Sequence, residues 1–346
     1  MRIEAAIIKK LVGINKDGQL VHLPNQVLRK LKGPDVQDSM NKNSICIVCN
    51  YSFQQKTRGW TENIQGICHP FKDTSIFPNN KKLHLLSESD FCDKIWIDDG
   101  GTYKKKYDYM AFTIDTTQGI KCKGYHTLPL ICKVGELLGL KGLILDYYKE
   151  YGKKKKPSYR NDKKGSLGYA VRKTRKRLRA CEKTGSVDIK RGLYSQSDVS
   201  RMIKSSNFVI FPNTRDASPR TITETLLRGV PVMVNKNIFG GWKYVNDTNG
   251  ILFDGPTSFL DGKQEEKKQQ YYYNEVYKSM QYMSQTKFDR DAIIKKYYSK
   301  YGFFNSARRL ANVINQIEGQ DRYLYVFYEK FGCLLKQRWK RWHNEN

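Results

Sequence analysis

RDASPRTITETLLRGVPVMVN, residues 215–235, is the stretch on which the reading of this 346-residue chain turns. A run of helical period reaches Gly229, and Pro-Val-Met-Val then changes to the pattern of a β-branched strand. The front of that helix is unusual. Asp216 leads a small polar loop, Ser218-Pro219 marks a helix start, and Glu224 follows inside it. Pro219 suits the first helical position with Ser218 as N-cap. The amides of Arg220 and Thr221 would then face an anion, helped by the helix dipole and the Arg220 side chain. Glu224, about one turn further in, is placed to meet a hydroxyl, and Asp216 overhangs the mouth.

Outward from this stretch, short apolar strands and helical runs alternate. YDYMAFTID, LKGLILDYY, SVDIKRG, NFVIFPN, PVMVN and GILFDG read as strands. GYHTLPLICKVGELLG, the basic segment with Leu167, Val171, Leu178 and Cys181 in register, and QSDVSRMIKSS read as helices. Such alternation means βαβ units in a doubly wound, Rossmann-like parallel sheet. In open α/β sheets ligands bind beyond the carboxyl ends of the strands, and the loop after NFVIFPN lies on that edge. Before the alternation, KLVGINKDGQLVHL reads as a hairpin turning at Lys16-Asp17-Gly18, QVLRKLKG as a short amphipathic stretch, and ICIVCN, KLHLLS and KIWIDD as buried strands. DDGGTYKKK is the linker. The expected organisation is a small α/β N-terminal, acceptor-side region over residues 1–104 and a Rossmann-like domain over 105–262. A helical extension, 263–346, would pack back on the N-terminal region.

Composition limits the function classes. Lys and Arg outnumber Asp and Glu 62 to 34, for a net charge of +28, which fits nucleic acid, an anionic membrane surface or an anionic small substrate. A hydrophobic content of 39% with 23 Tyr and 15 Phe supports a packed core and argues against wholesale disorder. The eight cysteines are scattered, and Cys46 and Cys49 form a C-x-x-C inside an apolar strand with no second pair nearby. Zinc takes about four ligands, so reduced core thiols are the simpler account. The apolar run in MRIEAAIIKKLVG is short for a signal peptide, and no apolar segment reaches about 18 residues. The expectation is a cytoplasmic protein, soluble or peripheral to a membrane.

An anion binder flanked by two hydroxyl-seeking carboxylates suits a ligand with phosphate in the middle and sugar at either end, the layout of a nucleotide-sugar. A plainer account makes Asp216 a loop acid and Glu224 a solvated helix residue.

Asp216 to Glu224 has the spacing of the E-x7-E motif of the GT-B glycosyltransferases, and of glycosyltransferase family 4, the "group 1" transferases, in particular, with Asp for the first Glu. ETLLRGVPVMVN is similar to that family's E-A-x-A-x-G-x-P-V-V run, and FGGWKYVNDTNGILFDG to its Gly-Gly segment, without the acid after the glycines. YMAFTIDTTQGIKCKGYHTLPLI resembles the strand, Lys-Gly and helix that open the family's C-terminal domain, although TIDTTQ stands where the family has Gly-Arg. The resemblance covers about residues 107–255, with a shortened N-terminal domain before it.

It implies a GT-B-like fold and a transferase, hexosyltransferase-like, that moves sugar from a nucleotide-diphosphate sugar to a glycan, protein or lipid-linked acceptor. Glu224 would hold the ribose hydroxyls and Asp216 the transferred sugar. Lys123 and Gly124, Arg220 and the amides near Ser218 and Thr221 would hold the diphosphate. Lys123, Asp216 and Glu224 would carry the chemistry. Lys121 or a residue among Arg172–Arg179 could add the second cation. Retention of anomeric configuration is implied, with no metal and no cofactor beyond the sugar nucleotide. Arg58 and Trp60 are acceptor-side candidates, and His69, His84 and His126 read as structural. The basic segments, including Lys153–Lys156, Arg172–Arg179 and the tail around Trp339 and Trp342, could rest on an anionic membrane. Two other classes remain open. One is a basic nucleic-acid-binding protein, though no reading module is visible; the other is a catalytically inactive transferase-like binding module.

Overall fold

A computed structural model of the chain describes residues 11–17, 19–22, 28–29, 45–48, 65–68, 83–85, 88–92, 101, 103–113, 117–147, 167–214, 216, 219–238, 240–256, 262–318 and 321–328. The chain forms two compact units, residues 92–298 and residues 1–91 with 299–346.

The second of these begins with β1 (Leu11–Asn15) and β2 (Leu20–His22), an antiparallel hairpin with Val12 opposite His22. The Asn15 side chain builds the turn, its Oδ1 accepting from the amides of Asp17 at 3.1 Å and Gln19 at 2.8 Å, as short Asx side chains do. Next come β3 (Leu28–Arg29), β4 (Ile45–Val48), β5 (Gln65–Cys68) and β6 (Leu83–Leu85), a parallel sheet in sequential order. The C-x-x-C thus has Cys46 in β4, while Cys49, the expected strand at 94–99, Arg58, Trp60, His69, Lys153–Lys156 and the tail tryptophans lie outside the described residues.

The larger unit holds the alternation. It runs β7 (Tyr107–Thr113), α1 (Thr117–Cys122), α2 (Leu128–Leu137), β8 (Gly142–Tyr147), α3 (Leu167–Lys183), β9 (Val187–Gly192) and α4 (Gln196–Lys204). It continues with β10 (Ser206–Phe211), α5 (Arg220–Leu226), β11 (Val232–Asn235), β12 (Gly250–Phe253), α6 (Gly262–Gln285) and α7 (Arg290–Lys300). The six strands are all parallel, in the order β12-β11-β10-β7-β8-β9. Counted from β7, this is the doubly wound order 3-2-1-4-5-6. Two right-handed series of crossovers leave β7 and β10 in opposite directions, which sends their helices to opposite faces. The expected α/β, Rossmann-like class is what the chain adopts. Burial fits such a sheet: Tyr109, Met110, Ala111, Phe208, Val209 and Ile210 are fully enclosed in the central pair, because strands covered on both faces carry continuous apolar runs.

The amino edge of the sheet is closed by side chains. At the start of β7, the Tyr107 hydroxyl donates to Asp188 Oδ2 at 3.0 Å, and Lys141 Nζ donates to the other oxygen at 2.8 Å. Asp108 accepts from the Lys141 amide at 2.8 Å and from Asn207 Nδ2 at 3.1 Å. Each polar group named here has a partner.

The remaining elements, α8 (Phe303–Glu318) and β13 (Tyr323–Tyr328), belong to the smaller unit. The stretch after Gly262 is therefore not wholly helical, as its pattern suggested. YLYVFY is aromatic and β-branched, and it pairs antiparallel with β1, Leu11 opposite Tyr328. Among the described residues no helix is long and apolar enough to cross a membrane.

Candidate functional site

The neighbouring strands β7 and β10 form the point where the strand order reverses, the place where open α/β sheets bind ligands beyond the carboxyl ends of the strands. After β7 the chain forms α1 and reaches Lys123-Gly124; after β10 it runs through Pro212 to Asp216. These two connections are joined by main chain. The Thr214 amide donates to the Cys122 carbonyl at 3.0 Å. Gly124 has φ 65°, and a Cβ there would sit 2.1 Å from the Pro212 carbonyl oxygen. Only glycine allows both the left-handed backbone and that approach.

The side chains complete the join. Lys123 Nζ donates to Asp216 Oδ2, across 93 residues of sequence. Asn213 Nδ2 donates to the same oxygen at 2.9 Å, and the Gly240 amide donates to the Asp216 carbonyl at 2.9 Å. The Lys123 side chain is 30% exposed and that of Asp216 13%, so a solute can reach the pair while bulk water screens it only in part. Gly241, with φ 94°, packs on the start of α5, where a Cβ would meet Pro219 Cγ at 2.5 Å.

The helix start differs from its sequence reading. Pro219 occupies the N-cap position with no side-chain cap bond, α5 begins at Arg220, and Ser218 lies outside the described residues. The first-turn bond runs instead from the Ile222 amide to the Pro219 carbonyl at 3.0 Å. Proline brings no amide that needs capping, which is why it is tolerated there. Arg220 is exposed and Thr221 half-buried.

Glu224 is half-buried, and its side-chain carboxylate accepts no hydrogen bond from a described residue. Burial pushes its carboxyl above the ordinary glutamate range, against the opposing pull of Arg228 and then Arg220. Arg228 is 2% exposed; its Nε donates to Ser200 Oγ at 2.8 Å and its Nη1 to the Glu224 carbonyl at 2.7 Å.

Three further polar groups near these segments are buried without a hydrogen-bond partner among the described residues: Thr113 Oγ1 at the carboxyl end of β7, Thr127 Oγ1 and Trp242 Nε1. Each such group costs on the order of 1–3 kcal/mol when nothing meets it, and orphaned groups of this kind call for an explanation. Sequence reasoning had not singled out Asn213 or Thr113, although both stand at strand ends on the ligand-binding edge. The side chain of Lys121 is outside the description, and Arg172–Arg179 lie on α3. His84 is in β6, and His126 is on a 3-10 turn, Tyr125–Thr127. No group of three or more metal-ligating side chains occurs among the described residues.

No protein-family model matches the chain, and neither does any curated protein. Solved structures do. A glycosyltransferase from Rickettsia africae is similar over 84% of this chain and 76% of its own, with TM-score 0.52 and 11% identity. S. aureus TarM, in a complex with Fondaparinux, alpha-GlcNAc-glycerol and UDP, is similar over 81% of this chain and 57% of its own, with TM-score 0.46 and 11% identity. AviGT4, a glycosyltransferase involved in avilamycin A biosynthesis, is similar over 75% of this chain and 70% of its own, with TM-score 0.48 and 10% identity. At such identities the likeness speaks of fold, and the first of the three carries it: the chain has a Rossmann-like α/β fold of the GT-B kind.

Proposed function

We propose that this protein is a glycosyltransferase that takes its sugar from a nucleotide-diphosphate donor bound at the β7–β10 crevice. The observation that carries the reading is the meeting of Lys123 with Asp216 at the reversal of strand order, with Glu224 half-buried on the adjoining helix. In this reading Lys123, with Arg220 and the main chain at Gly124 and Thr221, holds the diphosphate. Glu224 takes the ribose hydroxyls, and Asp216 takes hydroxyls of the transferred sugar.

The chemistry follows from charge. As the bond between the anomeric carbon and the diphosphate oxygen breaks, negative charge grows on the leaving group, and a fixed cation there stabilises the transition state more than the ground state. The acceptor hydroxyl oxygen forms the new bond to the anomeric carbon and gives its proton to the departing diphosphate oxygen, which is gaining negative charge. We assign the cationic role to lysine and arginine without a metal, and retention of anomeric configuration, on the resemblance of the 216–224 segment to family 4. The acceptor in this reading is a glycan, a protein or a lipid-linked group. A lipid-linked acceptor would suit the exposed cations Lys173, Lys176, Arg177 and Arg179 on α3 as a contact for an anionic bilayer.

A thermal-shift panel of UDP-, GDP- and ADP-sugars tests the proposal. A true donor at a hundred times its Kd stabilises the fold by about 2.7 kcal/mol. A flat response to every sugar nucleotide, with steep salt-dependent binding of nucleic acid instead, would overturn it.

A further inference from the structure

The connection that leaves the carboxyl end of β11 is fastened to both Asp216 and the start of α5. The Gly240 amide donates to the Asp216 carbonyl at 2.9 Å. Gly241, at φ 94°, lies so close to α5 that a Cβ there would meet Pro219 Cγ at 2.5 Å and Ile222 Cδ1 at 2.9 Å. Trp242 comes next and opens a short 3-10 turn, Trp242–Tyr244. Two steps of chain hold its Cα within about 8 Å of the Gly240 Cα, so the indole starts beside Asp216.

The turn is firmly built. The Tyr244 amide donates to the Gly241 carbonyl at 3.1 Å, the Val245 amide to the Trp242 carbonyl at 3.2 Å, and Asn249 Nδ2 to the Tyr244 carbonyl at 2.8 Å. Tyr244 is itself buried. Trp242 is half-buried, and its Nε1 is enclosed with no acceptor among the described residues. A buried tryptophan N–H ordinarily finds a partner, and one left unmet weakens the fold. Packing alone would be served by a phenylalanine, without that cost.

We infer that Trp242 is a specificity-determining residue of the proposed donor site, its indole N–H donating to a hydroxyl of the transferred sugar. The inference rests on the sugar-nucleotide reading given above. The two side chains are complementary: an indole nitrogen only donates, and an ionised carboxylate only accepts. Lys123 and Asn213 both meet Asp216 at Oδ2, which leaves Oδ1 for an incoming donor. A sugar hydroxyl can do both at once, donating to Oδ1 while accepting from Nε1. A donor and an acceptor side by side therefore single out a hydroxyl, and a deoxy position would leave both unmet.

The experiment uses the full chain and two probes. One is the sugar nucleotide that most stabilises it in the panel of UDP-, GDP- and ADP-sugars; the other is the nucleoside diphosphate of the same base. Calorimetry compares the wild type with Trp242→Phe, which keeps a ring and drops the N–H. The variant should bind the sugar nucleotide roughly five- to tenfold more weakly, the worth of one hydrogen bond between uncharged groups, and the nucleoside diphosphate within about twofold. Equal weakening of both probes would mean that Trp242 only supports the loop. No weakening of either would mean that its N–H meets no sugar. Both results overturn the inference and leave the donor site standing, whereas a flat panel removes the donor site and this role with it. If Trp242→Phe fails to fold, the assigned Trp242 indole N–H signal of the wild type decides by nuclear magnetic resonance. It should shift with the sugar nucleotide and hold still with the nucleoside diphosphate; the same response to both overturns the inference.

Discussion

The two edges of the six-stranded sheet are made from the same strands, yet the polar groups named at each are met to different degrees, the buried Tyr109 hydroxyl beside Gly142 being an unmet one on the amino side. At the amino edge, Tyr107, Asp108, Lys141, Asp188 and Asn207 satisfy one another. At the carboxyl edge, Thr113 Oγ1 is buried without a partner and Glu224 is half-buried, while Lys123 and Asp216 make a reachable ion pair to which Asn213 adds a hydrogen bond. A fold selected for stability alone would close both ends. The difference agrees with the carboxyl edge being the end proposed to meet a ligand.

The comparison can be broken most decisively at Lys123. Lys123→Met should lower kcat/KM for the sugar nucleotide by roughly 10²–10³, the usual loss for one group that stabilises developing charge. Steady-state rates near wild type would remove the carboxyl edge from the chemistry. Gly124→Ala comes next. The added methyl meets the Pro212 carbonyl in a left-handed backbone, so unfolding should become easier by about 2–3 kcal/mol in denaturant titrations.

Glu224→Gln should weaken donor binding roughly ten- to hundredfold in calorimetry, the worth of a hydrogen bond to a charged group. Its stability should move the other way. A carboxyl raised by burial binds its proton more tightly in the folded than in the unfolded chain. Stability is therefore lost as pH climbs from the ordinary glutamate value through the raised one. The glutamine variant should show less of that decline and be at least as stable as the parent at neutral pH. Equal pH slopes for the two proteins would mean Glu224 is not desolvated.

The smallest effects give the sharpest contrast, because they delete one hydroxyl from either end of β7. Tyr107→Phe should cost about 1 kcal/mol by removing a made hydrogen bond, with donor affinity unchanged. Thr113→Val should stabilise by about 1 kcal/mol by removing an unmet one, while weakening the donor. Melting curves with and without sugar nucleotide separate the two; the same sign for both would erase the distinction between the edges.

Much of this was legible in the sequence because local pattern and tertiary role coincide. The runs around Tyr109, Leu143 and Val209 are apolar throughout, which is what a doubly covered strand requires. The parallel pairing of β7 to β12 agrees with their alternation with helices, while their order in the sheet does not follow from it. Where local signals conflict, the reading failed. YLYVFY followed a long helical stretch, and only its pairing with β1 makes it a strand. α1 carries Gly119 in its middle, which hid it. Ser-Pro suggested a capped helix start, but the proline itself took the cap position. Glu224 could be placed on its helix from spacing; its desolvation could not, since that depends on what packs around it. The ion pair between Lys123 and Asp216 spans 93 residues and follows from the strand order rather than from either motif alone.

The tethering of Lys123 to an internal carboxylate has an effect on how crowded, salty surroundings would be felt. An arriving phosphate must compete with an anion that is covalently part of the chain, so small mobile ions contend with that built-in rival as well. Despite a net charge of +28, affinity for a sugar nucleotide at this crevice should decline only gently as potassium chloride is raised, because exchange at Lys123 swaps one fixed negative neighbour for another instead of stripping loose counterions.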